Sequence, residues 1–447
     1  MLRIQNFIKY WFAIISLFYF TLEGKSQKSW TLDSCINYAY SHNLSINSAK
    51  MQILTMENTY KQSSNNRFPT LSFSSSLASQ FGRSIDPTTN TYTNTHITYN
   101  SMGFTSGITL FNWFSVKNKI KYNRKNVEIA SLETERLKND LKLNITAAYL
   151  QIILAEKQLE ISQQQISLTL QQLDITTKQV DYGKKPESDR LQIVTELSSD
   201  STTYFNQLSA IQQAKLQVIL LLSIDPKEGF EINKSDTVIE NQLPILENPE
   251  SIYDVVKTKQ PLQKEDKAKL EALSYQKAIS KASFYPTLSS SASMSSNYSN
   301  AYTNSYGKPY GYFNQLLNIN LYQYVGLSLS IPIFNNKSAY YNYKNVIVQI
   351  KIQQLQNESD NQQLKQDIYN AYNIASTNLS VYLSNKRTLE ATEKGYTMSQ
   401  KRFEIGKSTL SDYLTSLNTL YQARINYINA YYNYIFSNKI LLYYRYN

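Results

Sequence analysis

Two short acidic motifs carry most of the chemistry this chain offers. Ser188-Asp189 and Ser411-Asp412 stand at the same interval from a glycine, with Asp189 six positions after Gly183 and Asp412 six after Gly406. A hydroxyl and a carboxylate at the start of a helical pattern favour a helix N-terminus, by capping unsatisfied N–H groups and by complementing the helix dipole. Lys184 and Lys407 follow the glycines, and Arg402 and Phe403 fall in the turn just before Gly406. The parts for catalysis are missing. His42 and His96 are the only histidines, and neither has Asp, His or Cys neighbours at a metal-binding spacing. Cys35 is the only cysteine, so no intrachain disulfide can form. No glycine-rich phosphate loop or nucleophile elbow is visible. The sequence therefore reads as a non-enzyme, with no cofactor and no metal.

The elements that position these motifs occur twice. Phe68-Pro69-Thr70-Leu71-Ser72 returns as Tyr285-Pro286-Thr287-Leu288-Ser289, a shift of 217 from Pro69 to Pro286. Leu110-Phe111-Asn112 returns as Ile333-Phe334-Asn335, a shift of 223 from Phe111 to Phe334. The second shift also carries Ala148-Tyr149 onto Ala371-Tyr372, Gly183-Lys184 onto Gly406-Lys407, and Ser188-Asp189 onto Ser411-Asp412. The chain is a tandem duplication whose unit is far too long for a solenoid repeat.

Proline placement outlines each copy. None of the ten prolines falls between 113 and 182 or between 337 and 405. Proline inside a helix costs about 3 kcal/mol or more, so each gap predicts one long helix. About 70 residues rise roughly 105 Å, so each helix needs an equally long partner. Leu141, Ile145, Ala148, Ile152, Ala155, Leu159, Ser162 and Ile166 step by four and three, the spacing of a coiled-coil seam. The matching seam, Leu364, Ile368, Ala371, Ala375, Asn378, Tyr382, Asn385 and Leu389, is smaller and more polar. Gly183 and Gly406 suit the left-handed residue that closes a helix. Helical patterns resume at once, with Pro186 suited to a first turn, so each copy contains a helical hairpin with a tight tip.

Before each long helix the period changes to two. Leu71, Phe73, Leu77 and Phe81 alternate with polar residues, as do Met102, Phe104, Ile108 and Leu110. In the second copy Leu288, Ala292, Met294 and Tyr298 share one parity, and Val325, Leu327, Leu329, Ile331 and Ile333 share another. The lengths match tilted transmembrane strands, but a half-buried soluble sheet alternates in the same way. The strand pairs are joined by long polar segments, 83–99 and 300–319. Four strands cannot close a barrel, for which about eight is the usual minimum; if they cross a membrane, several chains must share one barrel.

The N-terminus carries Arg3 and Lys9 ahead of an apolar run from Trp11 to Leu22. That run is too short to span a bilayer as a helix and reads as an export signal cleaved near Ser26 or Gln27. Cys35 lies beyond the run, after an acidic residue, and reads as packed in a short amphipathic helix rather than lipid-modified. Mean hydropathy is −0.43, which excludes a helical membrane bundle. The formal charge of +11 is scattered rather than striped, so no nucleic-acid partner is expected. The expected divisions are a signal peptide over 1–27, a first repeat over 28–230 and a second over 231–447. The first repeat holds a short helix, strands at about 70–82 and 100–111, a long helix at about 113–182, and a return helix at about 188–222. The second holds strands at about 287–299 and 320–334, a long helix at about 337–405, and a return helix at about 411–440.

This arrangement resembles the TolC family of bacterial outer-membrane efflux and secretion channels over about residues 30–445. Leu110-Phe111-Asn112 and Pro332-Ile333-Phe334-Asn335-Asn336 are similar to the family's signature at the strand-to-helix junction. Tyr182-Gly183 with Asp189, and Ile405-Gly406 with Asp412, resemble its tip motif, and Asn43-Leu44 after Trp30-Thr31-Leu32 resembles its opening helix.

The resemblance implies an α+β membrane protein. Its duplicated long α-helical hairpins would form an α-barrel tunnel in the periplasm. Its four transmembrane β-strands per chain would complete a trimeric twelve-stranded β-barrel in the cell outer membrane. An equatorial region is expected at about 223–260 together with the tyrosine-rich C-terminal stretch. The implied function is an exit duct of a tripartite efflux pump or a type I secretion system. Its implied partners are two further copies of the chain, outer-membrane lipid, a periplasmic adaptor (membrane fusion) protein and an inner-membrane transporter, and the energy would come from those partners. Asp412 matches the acidic residue that narrows the family's tunnel entrance, and Asp189 is its first-repeat counterpart; both are gate candidates. Gly183, Lys184, Gly406, Lys407, Arg402 and Phe403 are candidates for adaptor contact or tip support. Ser408 and Thr415 depart from the charged residues many relatives carry in the entrance network. The alternative is a periplasmic coiled-coil spacer without a channel, whose strands form a soluble cap.

Overall fold

The computed structural model describes residues 29–85, 90–93, 96–233 and 247–446. The expected signal peptide and residues 234–246 of the expected equatorial region lie outside the described residues. The chain forms two compact units. Among the described residues, one draws on those up to Ser48, those from Arg136 to Lys257 and those from Leu364 onward, the other on those from Ala49 to Glu135 and from Thr258 to Gln363. Neither unit is a sequence repeat, because each combines corresponding pieces of both copies.

The duplication is written in the backbone. Both long helices, Ser115–Asp181 and Ser338–Glu404, have 67 residues and stand 223 apart, from Ser115 to Ser338. The return helices, Glu187–Leu222 and Leu410–Tyr446, start at the same offset. The 217 register extends to a helix pair the sequence patterns did not resolve, Leu44–Asn65 and Pro261–Ala282, offset from Leu44 to Pro261. The expected short opening helix is two helices, Leu32–His42 and Leu44–Asn65. Asn43 divides them: its Oδ1 accepts from the Ser45 N–H at 2.9 Å, and its Nδ2 donates to the Leu221 carbonyl at 2.9 Å.

In the second unit four strands form one antiparallel sheet in the order Thr70–Gln80, Ile97–Phe111, Thr287–Ser299, Tyr322–Ser330. The register sorts side chains by chemistry. Phe73 lies opposite Phe104, which lies opposite Met294, and Ala292 lies opposite Val325. That face also carries Leu71, Leu77, Ile108, Leu327 and Leu329. On the other face the same register pairs Gly103 with Ser74 and Ser295, and Thr105 with Ser72 and Ser293. The last strand ends at Ser330, four residues short of its expected end at 334. Pro332 has no N–H to give a ladder, so the alternation of Ile331 and Ile333 outlasts the strand itself.

Each strand-to-helix junction holds two consecutive non-glycine residues in the left-handed region. These are Trp113 (φ 51°) and Phe114 (φ 61°), and 223 positions on Asn336 (φ 53°) and Lys337 (φ 59°). Left-handed conformation costs an L-residue about 1–2 kcal/mol. That two copies keep it twice marks the junction as a shape the fold requires. The preceding asparagines tie it down, the Asn112 and Asn335 carbonyls accepting from the N–H groups of Ser115 (3.0 Å) and Ser338 (2.9 Å).

In the first unit Leu141, Ile145, Ala148, Ile152 and Ala155 are buried, as the seam spacing requires. The first four share a core with Cys35, Ala39, Val218 and Leu222. Beyond Ser162 the buried line passes through Gln165, Thr169, Gln172 and Thr176, while Ile166 lies half-buried beside it. The seam has turned by one position because its polar members find partners. Thr169 Oγ1 donates to Asp200 Oδ2 at 2.6 Å, Gln165 Nε2 reaches Asn418 Oδ1 at 3.5 Å, and Asn418 Nδ2 donates to Glu196 Oε1 at 2.7 Å. Buried polar groups persist when they are hydrogen-bonded. In the second copy Leu364, Ile368, Ala371 and Ala375 are buried against Ile252 and Val256 of the helix Pro249–Val256. Two short strands, Ser29–Trp30 and Glu231–Ile232, pair in parallel, and Tyr149 donates its hydroxyl to the Trp30 carbonyl at 3.1 Å.

Candidate functional site

The tips of both hairpins belong to the first unit, and both close by the same backbone device. Gly183 (φ 68°) and Gly406 (φ 73°) take the left-handed conformation, with open space where a Cβ would stand. The Gly183 and Gly406 N–H groups donate to the carbonyls of Val180 (2.8 Å) and Phe403 (3.0 Å). Those of Lys184 and Lys407 donate to Gln179 and Arg402, both at 2.8 Å. This double closure satisfies carbonyls the helix end leaves open.

The side chains then diverge. At the second tip Thr409, rather than Ser411, caps the return helix. Asp412 Oδ2 accepts from the Thr409 N–H at 3.1 Å and from its hydroxyl at 2.7 Å, while the Asp412 N–H donates to Thr409 Oγ1 at 3.1 Å. This reciprocal pair is a capping box. The Thr409 hydrogen bonds, side chain first and then backbone, hold the exposed Asp412 carboxyl below its ordinary range, with a smaller contribution from the Arg402 charge. At the first tip Pro186 precedes the return helix and offers no side-chain cap. Asp189 there is half-buried and faces Lys185 Nζ at 3.6 Å.

Lys185 joins the two tips. Its Nζ lies 4.1 Å from the centre of the Phe403 ring, a cation–π contact. Phe403 stacks on Tyr413 with centroids 5.0 Å apart, and the Tyr413 hydroxyl meets that of Tyr396 at 3.2 Å. Burial, reinforced by that hydrogen bond, pushes the Tyr413 phenol above its ordinary range. Beneath this chain Ile193, Leu410, Leu414, Leu417 and Leu420 form one core, with Leu168, Leu173 and Leu389 packed against it. Of the residues singled out from sequence, Lys184, Lys407, Arg402 and Asp412 are exposed, whereas Phe403 turns inward. The sequence motifs do not include Lys185, Tyr396, Thr409 or Tyr413. Thr409 has a readable signal, a hydroxyl three residues before an acid at a helix start; Lys185 is defined by a contact between repeats, and the two tyrosines by contacts between the long helix and the return helix of the second repeat. No group of three or more His, Cys, Asp or Glu among the described residues could hold a metal ion.

The fold is that of bacterial outer-membrane channels. The outer membrane channel CmeC of Campylobacter jejuni superposes with a TM-score of 0.79 at 14% identity, over 95% of this chain and 89% of that one. CusC gives 0.78 at 16% identity over 94% of both chains, and the outer membrane protein VceC of Vibrio cholerae 0.76 at 14% over 92% and 95%. No curated protein matches by sequence. The outer membrane efflux protein family matches over residues 35–223 and 256–441. The chain belongs to that family.

Proposed function

We propose that three copies of this chain close one twelve-stranded barrel in the outer membrane, and that their hairpins line the periplasmic tunnel of an exit duct. The duct takes cargo from an inner-membrane transporter through a periplasmic adaptor, in a tripartite efflux pump or a type I secretion system. The observation that carries this reading is the open sheet. Among the described residues its outer strands, Thr70–Gln80 and Tyr322–Ser330, pair on one side only, yet expose large apolar side chains: Leu71 is 74% and Val325 81% accessible. Unpaired apolar edges invite further strands, and three sheets of four satisfy closure.

The strand ends support a lipid setting. Phe111, Trp113 and Tyr285 cluster at the helix end, with Trp113 and Tyr285 centroids 4.3 Å apart; Tyr298 and Tyr312 meet at the loop end at 4.9 Å. Aromatic girdles bound the apolar band of outer-membrane barrels. The rise from Leu288 to Tyr298 along a tilted strand is roughly 25 Å, the height of such a band.

At the tips, exposed Gly183, Lys184, Gly406, Lys407 and Arg402 form the adaptor-facing surface, and Phe403 supports it from within. Asp412 and Asp189 are the gate residues, and three-fold symmetry brings the copies of each together. The Lys185–Phe403 contact holds the two hairpins of one chain closed. Conductance in planar lipid bilayers tests this. Purified protein is expected to insert as a channel of small conductance that rises several-fold in Lys185→Ala. Folded, lipid-inserted protein without conductance in either form would overturn the reading.

A further inference from the structure

The sheet has a defect, and its repair points outward. The strand Thr287–Ser299 pairs with its follower only as far as Ser295, opposite Tyr322, so Ser296 to Ser299 lack a strand neighbour on that side. The segment before the last strand, a short helix Tyr312–Asn314 running into a π-turn Gln315–Ile319, fills the gap. Gln315, fully buried, stands in for the missing strand: its Oε1 accepts from the Ser299 N–H and its Nε2 donates to the Ser299 carbonyl, both at 2.9 Å. A second bond from Nε2 to the Tyr310 carbonyl, also 2.9 Å, fixes the amide. Ser296 Oγ donates to the Leu316 carbonyl and Asn320 Nδ2 to the Asn297 carbonyl, both at 2.7 Å.

The repair sits on one face. Tyr312 packs against Tyr298 with tilted rings and donates to Asn100 Oδ1 at 2.7 Å. Asn100 and Tyr298 are a cross-strand pair on the same side as Phe104 and Met294, the apolar side. The segment therefore lies against the wall that the barrel reading turns to lipid. Its outer surface is divided lengthwise. Phe313 and Leu317, one turn apart, are 74% and 66% accessible. Beside them Asn314 and Asn318 form a polar row, with Asn318 Nδ2 donating to Asn314 Oδ1 at 2.9 Å. The apolar row continues through exposed Leu321 into Val325 and Leu327 of the strand.

We propose that Tyr312–Ile319 is a membrane-interface shelf, seated at the headgroup–acyl boundary of the outer leaflet with Phe313 and Leu317 in lipid and Asn314 and Asn318 in water. A stripe of bulky apolar residues beside a polar stripe is the pattern of a helix lying in that boundary, and the aromatic rings beneath it suit the same depth. The occupant is lipid because the apolar row is continuous with the sheet's lipid face. Gln315 makes the shelf rigid, so it would fix how deep the barrel's outer rim sits.

This inference rests on the barrel reading, and one experiment separates them. Nitroxide labels are placed at Phe313→Cys, Leu317→Cys, Asn318→Cys, Val325→Cys and Tyr306→Cys in a Cys35→Ser background. All five positions are exposed, so the labels do not load the core. In liposomes of phosphatidylethanolamine and phosphatidylglycerol, collision with oxygen relative to a water-soluble nickel chelate reports depth. The expected order is oxygen-dominated at Phe313, Leu317 and Val325, and nickel-dominated at Asn318 and Tyr306. Nickel-dominated Phe313 and Leu317 with oxygen-dominated Val325 overturn the shelf and leave the barrel standing. Nickel dominance at Val325 as well overturns both.

Discussion

The two hairpin tips share a backbone and differ in almost every side-chain contact. Gly183 and Gly406 make the same left-handed turn with the same pair of hydrogen bonds. Past the turn, Asp412 spends its carboxylate on Thr409, whereas Asp189 faces Lys185, which reaches across to Phe403 of the other tip. Duplication copies what the chain needs to turn back and leaves the neighbouring side chains to specialise. The second tip became a self-capped, aromatic-cored end. The first supplies the cation that holds it.

Tyr413→Ala should break the comparison most severely, because it removes a buried ring from the second tip alone. Losing a large buried aromatic costs about 3–5 kcal/mol. Hydrogen exchange should accelerate sharply at both tips, whereas truncating exposed Leu191 at the first should leave exchange near wild type. Gly406→Ala forces a Cβ into left-handed backbone and should cost about 1–2 kcal/mol; Gly183→Ala should match it, since the backbone device is shared. Unequal losses would show that the turns are not equivalent.

Thr409→Ala removes a cap worth about 1 kcal/mol, with no equivalent at the first tip. Its effect depends on pH. The Asp412 carboxyl lies below its ordinary value of 3.8 in the fold, so its contribution is full above that value and disappears as pH falls through the folded one. The gap between mutant and wild type in tip hydrogen exchange should narrow as pH falls below 3.8, leaving the pH-independent part in which Thr409 Oγ1 accepts from the Asp412 N–H. The smallest effect is expected for Lys185→Met, which loses a partly exposed cation–π contact of about 0.5–1 kcal/mol. Thermal unfolding should barely move while channel conductance rises, separating a latch from a structural prop.

Asp200 sharpens the contrast between the polar and apolar parts of the first seam. Burial, its largest cause, raises this carboxyl above 3.8 in the fold. The charged form is therefore disfavoured, and the penalty grows as pH rises through the folded value. Asp200→Asn, which can still accept from Thr169, should stabilise the hairpin at neutral pH and be neutral at pH 3, by thermal unfolding at both values.

Much of this architecture was legible because local rules set it. Proline-free gaps gave the long helices to within about two residues, and Gly183 and Gly406 marked the turns, since both constraints act on φ and ψ of the residue itself. Contacts that join distant segments were not legible. Nothing in the order of residues pairs Lys185 with Phe403. Periodicity placed Ile166 in the seam, but Gln165 and Thr169 are the buried members because Asn418 and Asp200 receive them. The Tyr312–Ile319 segment falls within a connection, 300–319, that its Thr, Asn, Tyr and Gly content marks as a polar loop, where Gln315 is one more polar residue. Only the missing strand neighbour gives that amide its place.

The central claim is that four strands and two hairpins per chain make one shared duct. Electron microscopy of detergent-extracted protein, with class averages along and across the particle, tests it most directly. The account predicts a three-fold hollow particle with a tunnel on the order of 100 Å, from the rise of the long helices. Monomers or solid rods that need no detergent would contradict it.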